Sequence, residues 1–195
     1  MLQSRILSGP PIAERILVIR LGALGDVVRT LPAVTALRAL YPGSHLSWLV
    51  EPAAAAVVEA SGCVDETLLF PRGELVLSVR QGEMLTFARA LRGFLRRLRA
   101  RRFTLVLDFH GIAKSGLLAR LTGAPVRLGH GRGIAREASF LFCNHHVELP
   151  RAPVSRFARN AALVRALSAP LPVPSGPLLS ASNAARARLD ARLQA

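Results

Sequence analysis

The chain has 195 residues, 51% hydrophobic and 19% charged, which is ample material for one domain core and excludes global disorder. No run approaches the ~18–20 continuous apolar residues of a membrane span, and the N-terminal M-L-Q-S-R-I-L-S-G-P-P lacks the apolar centre of a signal peptide. A net charge of +14, carried by 25 arginines and one lysine, favours an anionic partner, although so lopsided a use of arginine is also expected of GC-rich coding.

Residues 1–14 read as a tail ending at Pro10 and Pro11. Ile16 to Ile19 form a short β-branched run bounded by charge, the pattern of a strand buried on both faces. A loop carrying Gly22 and Gly25 follows, and a first helix is expected to begin near Asp26, with Pro32 kinking or restarting it. Tyr41-Pro42-Gly43 ends that helix. A second strand spans His45 to Val50, a helix about 53–60, and a third strand Glu66 to Phe70.

The stretch 71–82 shows no clear pattern, whereas Glu83 to Arg101 reads as a long basic helix. That helix lacks interleaved aromatic residues on its basic side, so a solvated face is expected and no specific nucleic acid. Phe103 to Phe109 is a second strongly patterned buried strand, followed by a helix over Ile112 to Leu121 and a strand over Val126 to Leu128. G-H-G-R-G at 129–133 reads as a flexible basic loop, 135–142 as a short helix and 146–149 as a last strand. Ser155 to Leu167 is an amphipathic helix. A proline-rich linker (168–177) and a polar helix over 182–194 close the chain. Strands alternating with helices predict an α/β fold: a Rossmann-like, mostly parallel sheet covered on both faces.

Three constellations carry chemistry. In the first, Asp26 stands at a strand–glycine turn–helix corner, the edge of such a sheet where ligands bind. It is either a helix N-cap or a general base. The G-x-x-G-D spacing does not suit a dinucleotide, whose pyrophosphate a carboxylate would repel. The second is Asp108-x-His110-Gly111-x-x-Lys114-Ser115, at the same sheet edge. Lys114, the lone lysine, is either a solvated surface residue or a point contact for phosphate or carboxylate. The third is the basic set Arg127, His130, Arg132 and Arg136 with His145 and His146. It is either an exposed basic loop or one that closes on an anion. No metal site is expected, because adjacent histidines on a strand point to opposite faces and no acidic cluster accompanies them. Cys63 and Cys143 lack metal-ligand spacing and read as reduced thiols of a cytoplasmic protein.

The run I-L-V-I-R-L-G-A-L-G-D-V-V-R-T-L-P-A-V-T-A-L-R-A-L-Y-P-G resembles the N-terminal signature of family 9 glycosyltransferases, the ADP-heptose:lipopolysaccharide heptosyltransferases. The segments F-T-L-V-L-D-F-H-G-I-A-K-S-G, R-L-G-H-G-R-G and A-R-E-A-S-F-L-F match it in order, so the resemblance covers roughly residues 15–167. It implies the N-terminal, acceptor-binding half of a GT-B fold, with residues 15–167 as the domain and 168–195 leading to a C-terminal nucleotide-binding half that is absent from this chain. It implies inverting transfer from ADP-heptose to a lipid A–Kdo acceptor, with no metal or other cofactor.

In that frame Asp26 falls on the base that deprotonates the acceptor hydroxyl. Arg20, Lys114 and Arg136 fall on residues holding acceptor phosphates or Kdo carboxylates, with Gly22, Gly25, Arg72 and His110 beside them. Ala23 departs from the pattern by lacking a hydroxyl, and Arg72 alone represents an arginine-rich stretch after the third strand. The implied location is the cytoplasm, with peripheral contact to the inner face of the inner membrane. A non-catalytic module for anionic glycolipid or nucleic acid is the competing reading, and a Rossmann-type nucleotide binder comes after it.

Overall fold

The computed structural model describes residues 11–149, 153–168, 170, 178–180 and 192. The expected tail before residue 11, the linker over 171–177 and nearly all of the expected 182–194 helix lie outside the described residues.

Six strands form one sheet: β1 (Arg15–Ile19), β2 (His45–Val50), β3 (Glu66–Leu69), β4 (Leu105–Asp108), β5 (Val126–His130) and β6 (His145–Val147). All neighbours pair in parallel in the order β3-β2-β1-β4-β5-β6. The helices are α1 (Leu24–Leu40), α2 (Pro52–Ser61), α3 (Arg72–Arg80), α4 (Met84–Ala100), α5 (Ala113–Leu121) and α6 (Arg156–Arg165). This is the Rossmann-like α/β architecture expected from the sequence.

Alternation along β1 builds the two halves of the core. Ile16 and Val18 face α1 and α6 on one side of the sheet, where Leu31, Val34, Trp48, Leu107 and Leu163 pack with them. Leu17 and Ile19 face the other side, with Leu49, Phe94, Leu98, Val106 and Leu118. Residues Ile16 to Ile19 are wholly inaccessible to solvent. The strand order reverses between β1 and β4, and side by side at that point the loops after both strands open a crevice at the carboxyl edge.

Several local expectations are corrected. α1 starts at Leu24, so Asp26 lies in its first turn and Ala23 holds the cap position. The helix also passes through Pro32 for 17 residues without restarting. Its buried stripe of Val27, Leu31, Val34 and Leu37 outweighs the one backbone hydrogen bond proline forfeits. The unpatterned stretch forms α3, anchored by buried Leu75 and Ser78.

Gly129 and His130 belong to β5 and are not loop. A Cβ on Gly129 would meet Cys143 Sγ at 2.7 Å, and one on Gly131 would meet Glu148 Oε1 at 2.1 Å. These glycines permit close packing, which a flexible loop would not need. Only Ser139–Phe142 of the expected 135–142 helix is helical, as a 3-10 turn, and the last strand starts one residue early at His145.

Candidate active site

The first turn of α1 presents Asp26 to the crevice, with its side chain 17% exposed. Arg20, the residue after β1, reaches it at 2.5 Å through Nη2 and donates from Nη1 to the Phe109 carbonyl at 2.8 Å. One guanidinium therefore ties together the loops after β1 and β4. Arg29, one turn further along α1, lies 3.3 Å from Asp26 Oδ1, and Arg156 of α6 donates to the same oxygen. Burial pushes the Asp26 carboxyl up, but hydrogen bonds and charge from Arg156 and Arg20 outweigh it and hold the group below its ordinary range. Asp26 is therefore ionised at neutral pH, and it makes no N-cap hydrogen bond.

A cavity opens above this cluster, lined by Arg20, Asp26, Arg29, His110, His130, Arg136, Arg156, Arg159 and Asn160 among others. Five arginines and one aspartate share that wall, so it is strongly cationic. Asn160 fixes α6 against α1 by donating to the Arg29 carbonyl and the Thr30 hydroxyl, each at 3.1 Å. Arg136 is tethered through its backbone N–H, which donates to the Gly111 carbonyl at 2.8 Å.

The two cavity histidines are neutral for different structural reasons. His110 Nδ1 accepts the Leu21 N–H at 3.2 Å, a second link between the β1 and β4 loops. Burial, then the charges of Arg20 and Lys114, push it down to about 4. His130 is 3% exposed. Burial, then Arg159 and Arg20, push it down to about 4 as well, yet neither of its ring nitrogens has a hydrogen-bond partner among the described residues. Arg20 Nε and Arg159 Nε are likewise buried and unpartnered. Buried polar atoms are nearly always satisfied. Four such atoms belong to residues that line this one cavity.

Asp108, 1% exposed, holds the backbone of the β4 loop. It accepts from the His110 N–H at 3.0 Å, the Gly111 N–H at 3.1 Å and the Ser115 hydroxyl at 2.9 Å. Burial pushes it up to about 6 against those hydrogen bonds.

A second polar cluster flanks the cavity. Glu51, at the end of β2 with its side chain 16% exposed, accepts from Arg72 at 2.9 Å and from Lys114 at 3.3 Å. Lys114 Nζ also lies 5.1 Å from the centre of the Phe70 ring. Gly22 borders this cluster, since a Cβ there would sit 3.6 Å from Glu51 Oε2. The structure thus divides the expected site residues. Arg20, Asp26, His110 and Arg136 line the cavity, whereas Gly22, Arg72 and Lys114 gather around Glu51. Gly25 adjoins Arg29, whose Nη1 a Cβ would meet at 3.5 Å.

Of the basic set on β5 and beyond, only His130 and Arg136 reach the cavity. Arg127 braces the turn before β5 through the Ala124 and Phe142 carbonyls, Arg132 stacks on Phe140 at 4.8 Å, and His146 pairs with the Phe140 carbonyl at 2.7 Å. Glu51 joins the site as a carboxylate just past the end of β2 and before Pro52, a position the sequence itself displays. Arg156, Arg159 and Asn160 left no local signal, because only tertiary packing of α6 on α1 brings them to Asp26. Among the described residues no group of three or more His, Cys, Asp or Glu side chains is placed to hold a metal ion.

A Rossmann-like sheet hosts many unrelated functions, so comparison with known proteins decides the class. Residues 91–194 match the sequence profile of glycosyltransferase family 9 (heptosyltransferase), and the chain belongs to that family. It is 32% identical over 127 residues to lipopolysaccharide heptosyltransferase 1 of Pseudomonas aeruginosa, covering 63% of this chain and 34% of that protein. It is 27% identical over 149 residues to the Salmonella typhimurium protein of the same name, covering 73% of this chain and 45% of that one.

Among solved structures, the fold is similar to E. coli heptosyltransferase WaaC with ADP-2-deoxy-2-fluoro heptose, at a TM-score of 0.68 and 23% identity over 84% of this chain and 50% of that one. E. coli ADP-heptose lps heptosyltransferase II gives a TM-score of 0.65 at 20% identity, over 92% and 50%. The chain spans less than half the length of these curated relatives.

Proposed function

We propose that this chain supplies the acceptor-binding half of a heptosyltransferase that extends the inner core of lipopolysaccharide. The observation that carries the reading is the cavity wall that sets Arg20, Arg29, Arg136, Arg156 and Arg159 around the Asp26 carboxylate. Such a wall suits a sugar bearing carboxylate or phosphate: guanidinium groups take the anion, and a neutral imidazole takes a hydroxyl. The relatives' names, which specify lipopolysaccharide, fit that ligand chemistry.

Asp26 is the base in this reading. Its carboxylate accepts the proton of the acceptor hydroxyl as that oxygen attacks the anomeric carbon of the donor, while the bond from that carbon to the nucleotide phosphate breaks. Attack from the face opposite the leaving group inverts the centre. A carboxylate held at low pKa is a weak base towards a free alcohol, but the hydroxyl acidifies as the new C–O bond forms. An anionic acceptor also competes for Arg20 and Arg156, which loosens their hold on Asp26 and raises its basicity.

Arg20, Arg136 and Arg159 bind the acceptor's charge in this reading, His110 keeps the two loops in register, and Lys114, Arg72 and Gly22 border the entrance around Glu51. The donor, a nucleotide sugar such as ADP-heptose, is a substrate, and the step uses no metal or other cofactor. The lipid-borne acceptor places the reaction at the cytoplasmic face of the inner membrane.

Calorimetric titration of the chain with a water-soluble Kdo-bearing core oligosaccharide tests the reading. The wild type is expected to bind, and Arg20→Gln and Arg136→Gln each to weaken binding by about tenfold, the loss of one charge-assisted contact. No binding by the wild type contradicts it.

A further inference from the structure

Helix α4 carries a feature that the cavity does not use. Its sequence holds five arginines and no acidic residue. At 3.6 residues per turn, Leu85, Arg89, Arg92 and Arg96 fall on one stripe, opposite the buried Phe94 and Leu98. Arg89, Arg92 and Arg96 are exposed and make no ion pair among the described residues. Like charges at this spacing weaken a helix, so the stripe is not explained by helix stability.

Its apolar end is equally exposed. Leu85 is 83% accessible and Met84 55%, and across the turn at 81–83 Val79 of α3 is 52% accessible and Leu77 54%. The turn itself is well ordered by backbone bonds from Gln81 to Leu77 and from Glu83 to Ser78. Between residues 72 and 102 nine arginines face two glutamates, Glu74 and Glu83.

We propose that this face of the α3–α4 hairpin docks on an anionic phospholipid bilayer, with Val79, Met84 and Leu85 entering the headgroup boundary and Arg89, Arg92 and Arg96 pairing with lipid phosphates. Exposed apolar side chains beside a one-sign arginine row are the two components of interfacial binding, and each needs the other. The same face lacks stacking groups for a single-stranded nucleic acid, because the two aromatic residues of α4, Phe87 and Phe94, turn towards the core. α4 also returns the chain from the carboxyl edge of the sheet to the start of β4, so its first turn lies towards the edge that carries Asp26. Docking there brings the cavity to the lipid surface. The inference rests on the hairpin alone and stands apart from any role of Asp26.

Co-sedimentation of the 195-residue chain with vesicles free of lipopolysaccharide tests it. The wild type is expected to bind vesicles of phosphatidylglycerol and phosphatidylethanolamine and not vesicles of phosphatidylcholine, with binding lost in 0.5 M salt. Leu85→Asp and the pair Arg89→Glu/Arg92→Glu are each expected to lower the partition by about tenfold or more, while titration with the soluble core oligosaccharide is unchanged. Equal binding to both vesicle types, or none, overturns the proposal. So does tight binding of a single-stranded RNA oligonucleotide that Leu85→Asp leaves intact, or a dimer in sedimentation velocity that Leu85→Asp dissolves.

Discussion

The Asp26 carboxylate and the Arg156 guanidinium, 130 positions apart in the chain, meet side chain to side chain at the wall of the cavity. Arg156 belongs to α6, which Asn160 fastens to α1, so the charge state of the candidate base depends on a helix remote in sequence. The Arg156→Gln variant is expected to let the Asp26 carboxyl rise towards its ordinary value, read by NMR pH titration of the side-chain carboxyl. Because Asp26 is depressed in the fold, its ion pairs stabilise the protein above about pH 4 and lose that effect as pH falls through the folded value. Arg156 is 58% exposed, so the stability involved is small, under about 1 kcal/mol. An unmoved titration contradicts the assignment.

His130 separates folding from binding. Its two buried ring nitrogens, unpartnered among the described residues, make it a poor core residue, and the residue lines the cavity that holds Asp26. His130→Phe fills a similar volume without unsatisfied atoms, and is expected to raise stability by roughly 1 kcal/mol in urea denaturation while weakening the core oligosaccharide by about threefold to tenfold. With the folded value near 4 and the unfolded value near 6.5, neutral His130 supports the fold above pH 6.5 and that support fades as pH falls towards 4. The variant is therefore expected to lose less stability in acid than the wild type. A less stable variant with unchanged binding assigns the histidine to packing.

Asp108 titrates in the opposite sense. Its carboxyl sits near 6 in the fold against about 3.9 unfolded, so the folded chain holds the extra proton between pH 4 and 6. Its contribution is fully present below about pH 4 and is lost as pH rises through 6, a swing on the order of 2–3 kcal/mol. Asp108→Asn keeps the oxygen that accepts from His110 and Gly111 and offers an N–H to Ser115, so it is expected to fold normally and to lack that swing. Asp108→Ala leaves two backbone N–H groups unmet and is expected to lose about 2–4 kcal/mol. Parallel pH dependence in wild type and Asp108→Asn contradicts the raised value.

Much of this arrangement is legible in the sequence. The buried strands around Ile16–Ile19 and Leu105–Asp108 announce themselves by continuous apolar, β-branched runs, because a parallel sheet covered on both faces has no polar side. Asp26 and His110 follow from lying just past those strands, at the edge where a parallel sheet binds ligands, whereas Arg20 follows only from the family resemblance. The sequence places Lys114 at that edge, but its pairing with Glu51 depends on two loops meeting. Arg156 and Asn160 are invisible for a stronger reason: a polar residue on an amphipathic helix reads as solvated until the helix is docked. The glycines of 129–133 are ambiguous in sequence because glycine marks close packing as well as mobility, and only the position of Cys143 and Glu148 distinguishes the two.

The most direct test concerns Asp26. With this chain joined to a donor-binding half of the family, transfer from ADP-heptose to a Kdo-bearing acceptor is measured for wild type and Asp26→Asn, alongside acceptor affinity. The substitution keeps the size of the side chain and removes its charge. The expected result is a fall in kcat of at least about a hundredfold, the loss of a general base, with acceptor Kd within about threefold of wild type. Turnover near the wild-type rate contradicts Asp26 as the base.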